Sequence, residues 1–212
     1  MRTPNRVWLS LTLRRRALIL AAASLVSACT TSGATRPAPN EVSGERGFII
    51  SERVRAGSGV RADFEQALRL LDQEQYEAGI ALLLEVTEAA PRATVAHIDL
   101  GIAYGRVGDL ERAEASIGKA LELNPRHPVA HNELGILYRR TGRFEEARQS
   151  YEKALALYPD FHFARRNLAI LCDLYLSDPR CALEHYELYA NAAPDDESAA
   201  MWIADLRNRV GE

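Results

Sequence analysis

From Val60 onward, apolar residues recur at spacings of three and four. They form stretches of about a dozen residues separated by short polar breaks. This pattern predicts a continuous series of amphipathic helices joined by tight turns. Two other patterns precede it. Ala17 to Val26 is an apolar run of about ten residues broken only by Ser24, half of what is needed to cross a bilayer core of ~30 Å. Thr30 to Gly59 is rich in Ser, Thr, Gly, Pro and charge, with Arg36-Pro37-Ala38-Pro39 and no helical period. It reads as a mostly disordered tether, interrupted by the short apolar run Phe48-Ile49-Ile50, which is expected to dock on the first helices.

The helical part repeats itself. Gly101, Tyr104, Gly108, Ala113, Ala120 and Pro125 return thirty-four residues later as Gly135, Tyr138, Gly142, Ala147, Ala154 and Pro159. Pro91 precedes Pro125 by the same interval, and Pro194 follows Pro159 after thirty-five, with the extra residue near Ser177-Asp178-Pro179. Four units result, 60–93, 94–127, 128–161 and 162–196, each of two helices. Gly108 and Gly142 mark the turn within a unit, and Glu74 stands there in the first. The prolines end the second helices, because Pro cannot continue the backbone ladder. A period of this length predicts an all-α solenoid of helical hairpins. One hairpin cannot bury its own apolar face, so the units must stack and the last must be covered. Ala199, Trp202, Ile203 and Leu206 form one stripe of a further helix, which makes 197–212 a capping helix.

The residues at these positions resemble the tetratricopeptide repeat. Leu100-Gly101, Tyr104, Ala113, Ile117, Ala120 and Pro125 follow its pattern, as do Leu134-Gly135, Tyr138, Ala147, Tyr151, Ala154 and Pro159. The first unit (Ala67, Leu70, Gly79, Leu83, Val86, Pro91) and the fourth (Leu168-Ala169, Cys172, Ala182, Tyr186, Tyr189, Pro194) are degenerate. The resemblance implies a ligand groove lined by the second, fifth, ninth and twelfth residues of each first helix. Carried onto this chain, the partner-binding groove is Phe64, Leu68, Val95, Ile98, Ile102, Val129, Asn132, Ile136, Arg139, Phe163, Arg166 and Ile170. Its N-terminal half is apolar, and its C-terminal half mixes apolar residues with Arg. Chaperone-binding members of the family clamp a C-terminal carboxylate with Lys and Asn. Phe64, Leu68 and Asp99 stand at those positions here, so that function is not supported. The groove instead suits an apolar or amphipathic protein segment.

The N-terminus changes where such a groove would work. Arg2, Arg6 and Arg14-Arg15-Arg16 precede the apolar run, with no acidic residue among them, as in a secretory signal peptide. The run ends at Val26-Ser27-Ala28-Cys29, which resembles the bacterial lipobox. That resemblance implies cleavage after residue 28, lipidation of Cys29, and a lipidated tether over 29–59. Thr30 lacks the Asp that favours inner-membrane retention, so the outer membrane's periplasmic face is expected, with the inner membrane as the alternative. The triple Arg leaves twin-arginine export open beside the general route. Losing five arginines from 26 basic side chains leaves 21 against 29 acidic ones, a balance of −8. An acidic chain with dispersed Arg does not suggest nucleic-acid binding.

Candidate chemistry is sparse. No catalytic set, phosphate loop or cofactor motif stands out, so an enzyme is not expected and no cofactor or metal is assigned. His127 and His131 have an i, i+4 spacing that can hold zinc, but no third ligand accompanies them. His97 and His131 occupy equivalent repeat positions and are expected to be structural. Cys172 and Cys181 flank the irregular turn of the fourth unit. In an oxidising compartment a disulfide between them is expected, with two buried thiols as the alternative.

The functional expectation is a membrane-anchored periplasmic adaptor that holds protein partners during assembly of envelope machinery. It resembles the pilotins that bring type IV pilus secretins to the outer membrane. The alternatives are a scaffold for peptidoglycan enzymes and an accessory protein of a proton-driven (TonB/ExbB/ExbD-like) energy-transduction complex. Residues 175–186 and 202–206 look like the last group.

Overall fold

The computed structural model describes the backbone of 40–44 and 47–51, and residues 57–211 in full. Two units result, 1–51 and 52–212. In the first, β1 (Asn40–Gly44) pairs antiparallel with β2 (Gly47–Ser51), with Val42 opposite Ile49 and Ser43 opposite Phe48. A hairpin therefore lies inside the stretch read as tether. Its residues Val42, Phe48, Ile49 and Ile50 have the β-branched and aromatic side chains that favour extended backbone. The signal segment, Cys29 and the side chains of Phe48 to Ile50 lie outside the described residues.

The second unit is all-α. Among the described residues nine helices follow one another: α1 Ser58–Asp72, α2 Tyr76–Ala89, α3 Thr94–Val107, α4 Leu110–Leu123, α5 Pro128–Arg140, α6 Phe144–Leu157, α7 His162–Leu174, α8 Pro179–Ala192 and α9 Glu197–Val210. Each packs on the next, and the first helices of successive hairpins also touch: α1 with α3, α3 with α5, α5 with α7. That is the topology of a helical-hairpin solenoid, with the first helices on one layer. None of these helices is long and apolar enough to cross a membrane.

Small residues set the spacing inside each hairpin. A Cβ on Gly101 would lie 2.7 Å from the Ile117 side chain, and one on Gly135 would lie 2.6 Å from the Tyr151 ring. Ile117 and Tyr151 are fully buried wedges that fill the space the glycines leave. In the degenerate first hairpin the roles are exchanged. Gly79 on the second helix is the small partner, and Leu71 of the first helix occupies its space.

The turns within hairpins share one geometry. Glu74, Gly108, Gly142 and Ser177 all have φ between 53° and 87°. In the first three turns an amide donates to a carbonyl five residues back: Gln75 to Leu70, Asp109 to Tyr104, and Arg143 to Tyr138. In the fourth, Leu176 makes this bond to Leu171, and Asp178 then reaches back to Cys172 over one residue more. That inserted residue is the origin of the thirty-five-residue interval. Asp109 and Asp178 then cap α4 and α8 by accepting from Arg112 N and Cys181 N.

The connections between hairpins are held by a second recurring contact. His97 Nε2 donates to Pro91 O at 3.1 Å and His131 Nε2 to Pro125 O at 3.0 Å. Arg165 does the same for Pro159 O, at 2.7 Å from its terminal nitrogen. These residues are thirty-four apart, so one position per repeat satisfies a carbonyl just past a helix end. At the C-terminus α9 covers the last hairpin. Leu206 is fully buried, Trp202 packs on Tyr186 with ring centroids 5.0 Å apart, and Arg209 pairs with Asp173 at 2.7 Å.

The turn and wedge geometries predict opposite signs for three substitutions. Gly135→Ala gains about 1 kcal/mol of helix propensity but drives a methyl into a buried ring, so a net loss of about 1–3 kcal/mol is expected. Gly142→Ala meets no atom, yet its φ of 76° should cost about 1–2 kcal/mol. Glu74→Gly relieves the same strain and should raise stability by about 1 kcal/mol. Urea denaturation of the three variants reads these changes. A stabilised Gly135→Ala protein would contradict the wedge.

Candidate functional site

The layer of first helices carries the residues expected to line a groove. Phe64 and Leu68 on α1, Val95 and Ile102 on α3, Ile136 and Arg139 on α5, and Phe163, Arg166 and Ile170 on α7 are all partly buried. Each therefore sits between interior and solvent. Ile136 and Ile170 rest on the core that contains Tyr151 and Leu171, so their positions are fixed from below. Phe163 lies against His162, with centroids 4.0 Å apart. Arg139 lies over Tyr175 and Arg166 over Tyr189, 5.9 and 5.7 Å from the ring centroids, and these contacts hold both guanidinium groups at the C-terminal half. Asp173, at the twelfth position of α7, is taken up by Arg209 of the capping helix.

Three residues expected in the groove lie in the interior instead. Ile98 is 0% exposed, Val129 4% and Asn132 1%. Adjacent first helices meet at this depth, and side chains there are spent on each other. Asn167 Nδ2 donates to Asn132 Oδ1 at 2.9 Å across the contact of α5 with α7. Ile98, Val129 and Asn132 are therefore core residues with little surface of their own.

The same depth holds a polar line that the groove positions did not reveal. Asp99, Glu133 and Asn167 are equivalent residues of α3, α5 and α7. Asn167 donates to Asn132, and Asn132 Nδ2 donates to Glu133 Oε1 at 3.0 Å. Glu133 in turn repels the Asp99 carboxylate, whose Oδ2 is buried without a hydrogen-bond partner. Burial is the main cause that raises Asp99 to about 7, with Glu133 adding to it. Burial likewise raises Glu133 to about 7, against the opposing pull of Asn132 and Arg106. Two neighbouring acids, Asp99 buried and Glu133 partly exposed, are thus both pushed toward neutrality. The signal in the sequence was a polar residue recurring at thirty-four inside otherwise apolar helices.

The remaining candidates do not converge on chemistry. His127 is the N-cap of α5, its Nδ1 accepting from Ala130 N at 3.3 Å, and burial lowers it to about 4. His131 is engaged with Pro125, so the pair does not form a zinc site, and no group of three metal-ligating side chains occurs among the described residues. Cys172 and Cys181 are joined by a disulfide with Cα atoms 5.9 Å apart, which ties the end of α7 to the start of α8 beside the groove's C-terminal end.

Comparison with known proteins agrees with this architecture. Residues 98–160 match the family model described as tetratricopeptide repeat. No curated protein matches the sequence. Among solved structures, PilF of Pseudomonas aeruginosa is 25% identical, with a TM-score of 0.65 over 71% of this chain and 68% of that one. TTC0263, a thermophilic tetratricopeptide-repeat protein of Thermus thermophilus, is also 25% identical, with a TM-score of 0.63 over 69% of this chain and 80% of that one. MamA of Desulfovibrio magneticus RS-1 is 19% identical, with a TM-score of 0.63 over 73% and 87%, and shows the fold alone. The fold is the tetratricopeptide-repeat solenoid, which suggests an adaptor for protein–protein interaction.

The acid pair makes a signed prediction about pH. A carboxyl raised in the folded state contributes stability that is full below its unfolded value near 4. That contribution is lost as pH rises through about 7. His127 acts oppositely, its contribution fading as pH falls from 6.5 toward 4. Comparing variants isolates the acids: Asp99→Asn should gain stability relative to wild type on going from pH 4.5 to pH 8, by on the order of 1–3 kcal/mol. Denaturant melts at the two pH values measure it, and a difference independent of pH would refute the assignment.

Proposed function

We propose that this chain is a non-catalytic periplasmic adaptor, anchored by lipid on Cys29 to the outer membrane. Its groove receives an apolar or amphipathic segment of an envelope protein, with a type IV pilus secretin subunit as the first candidate. The observation that carries the adaptor reading is the groove itself. Seven apolar side chains are partly exposed along successive first helices, with Ile136 and Ile170 resting on the core beneath, which is how a solenoid offers anchor sites to a peptide. The membrane anchor rests on the resemblance of Val26 to Cys29 to a lipobox behind a basic and apolar leader. The structural likeness to PilF is compatible with the pilus reading.

The anchor is tested by intact-mass analysis of the membrane fraction. Acyl additions on a chain that begins at Cys29 are expected, since several acyl chains at ~0.8 kcal/mol per buried methylene hold a protein at a bilayer. An unacylated protein with a different N-terminus would end that part of the reading.

The groove is tested separately. A photo-crosslinking residue at position 102, one turn from the acid pair, is expected to trap the partner in native envelopes, where mass spectrometry identifies it. Recovery of a secretin supports the pilus reading, and recovery of cell-wall enzymes or proton-channel components would replace it. Changing Ile136 and Phe163 to Ser should weaken capture at least tenfold, or about 1.4 kcal/mol, because such side chains dominate peptide contacts. Helical content should be retained. Glu146→Ala, at an exposed site on α6, serves as the control and should leave capture unchanged. The opposite outcome for these variants would move binding off the groove.

A further inference from the structure

The N-terminal half of the groove is apolar except where Asp99 and Glu133 stand, and this exception identifies a feature of its occupant. Asp99 is 9% exposed, and its Oδ2 has no hydrogen-bond partner. A buried acceptor left without a donor costs free energy that a fold normally avoids. Donors are close by but committed elsewhere. The Asn132 amide is spent on Glu133, and the Asn167 amide on Asn132. Arg106, about two helical turns from Asp99 on the same helix, acts on Glu133. From the other elements packed here, Arg139 of α5 and Tyr151 of α6 act on one another, and Tyr151 also feels the charge of Glu133. One acceptor, Asp99 Oδ2, is thus left without a donor between α3 and α5, one helical turn from the partly exposed Ile102, with Ile136 one turn from Glu133.

We propose that the segment seated in this groove carries one basic side chain, lysine or arginine, received between α3 and α5 by the carboxylates of Asp99 and Glu133. This rests on the groove reading above and deepens it. Two acids at equivalent positions of neighbouring helices give a local negative site, and the surrounding isoleucines exclude water from it, so a cation there is held by charge-assisted hydrogen bonds in a poorly screened setting. The empty site has another way to limit its charge, which is to keep a proton. Docking of the cation then exchanges one charge for another: the carboxyl releases its proton to solvent, and the ammonium or guanidinium donates in its place. Both acids are raised toward neutrality, in keeping with this exchange. A carboxylate-bearing segment would meet repulsion at the same place. The site therefore selects for a basic residue within an apolar segment, and it binds more tightly as pH rises through neutrality.

The probe is a random twelve-residue peptide display library, panned at pH 7.4 on the purified chain, on its Asp99→Asn/Glu133→Gln variant and on its Ile136→Ser/Phe163→Ser variant. Wild-type protein is expected to enrich apolar peptides with Lys or Arg at one fixed position. The best of these, made synthetically, should bind at least tenfold more weakly to Asp99→Asn/Glu133→Gln. Its Lys→norleucine analogue should lose the same factor on wild type, which does not depend on any protein variant folding. Wild-type affinity should rise between pH 6 and pH 8, and the double variant's should not. Apolar peptides enriched without a fixed basic position, or an analogue that binds equally well, would overturn the inference while leaving the groove reading intact. Peptides that bind Ile136→Ser/Phe163→Ser unchanged, or no enrichment at all, would overturn both.

Discussion

Every level of this protein rests on the close approach of the two helices of each hairpin. Gly101 against Ile117 and Gly135 against Tyr151 bring the backbones together, because a Cβ at either glycine would overlap the opposing side chain. The wedge is as necessary as the gap. Tyr151 and Ile117 are fully buried, and each fills the space its glycine leaves. The first hairpin shows that the constraint concerns volume and not residue identity. There Gly79 and Leu71 exchange the small and large roles between helices, and the packing is kept. A hairpin built this way is thin and still has an apolar face uncovered, so it must stack on another. The solenoid, its layer of first helices and the groove follow from that.

Stacking determines what the groove can offer. Where neighbouring first helices touch, side chains at the depth of Ile98 and Asn132 are consumed by the contact. Those nearer solvent, such as Ile102, Ile136 and Phe163, stay partly exposed, and Ile136 rests on the core beneath it. The result is a strip of rigid apolar anchors, and rigid anchors lose little entropy on binding. The polar line from Asn167 through Asn132 and Glu133 to Asp99 runs beneath this strip. It ties α7 to α5 by hydrogen bonds and leaves α3 facing α5 with an unshared acceptor. Charge in the site is therefore placed by the stacking itself.

The C-terminal end is built differently from the middle. One inserted residue puts Ser177 at positive φ, shifts the amide of Asp178 to the Cys172 carbonyl and brings Cys181 to Cys172. Helix α9 then takes Asp173 out of the groove through Arg209 and buries Leu206 against the last hairpin. The groove ends where its final twelfth-position side chain is drawn into a cap.

The sequence by itself determined what depends on local periodicity. Helix placement follows from apolar spacing, the turns from Gly108 and Gly142, the hairpin terminations from the prolines, and the repeat from its thirty-four-residue interval. Even the positive φ of Glu74 was marked by its alignment with the glycines, whereas Ser177, displaced by the inserted residue, was not. Tertiary structure decided what depends on curvature and on neighbours. Ile98 and Ile102 are both apolar residues of one helix face, and nothing local tells which is covered by the next first helix and which stays open. The donation of His97, His131 and Arg165 to preceding proline carbonyls unites residues of unlike type, so only their shared position exposes it. The unshared carboxylate of Asp99 depends on Asn132 and Asn167 having turned toward each other. Periodicity is a property of the chain, whereas exposure and pairing are properties of how closely one repeat lies on the next.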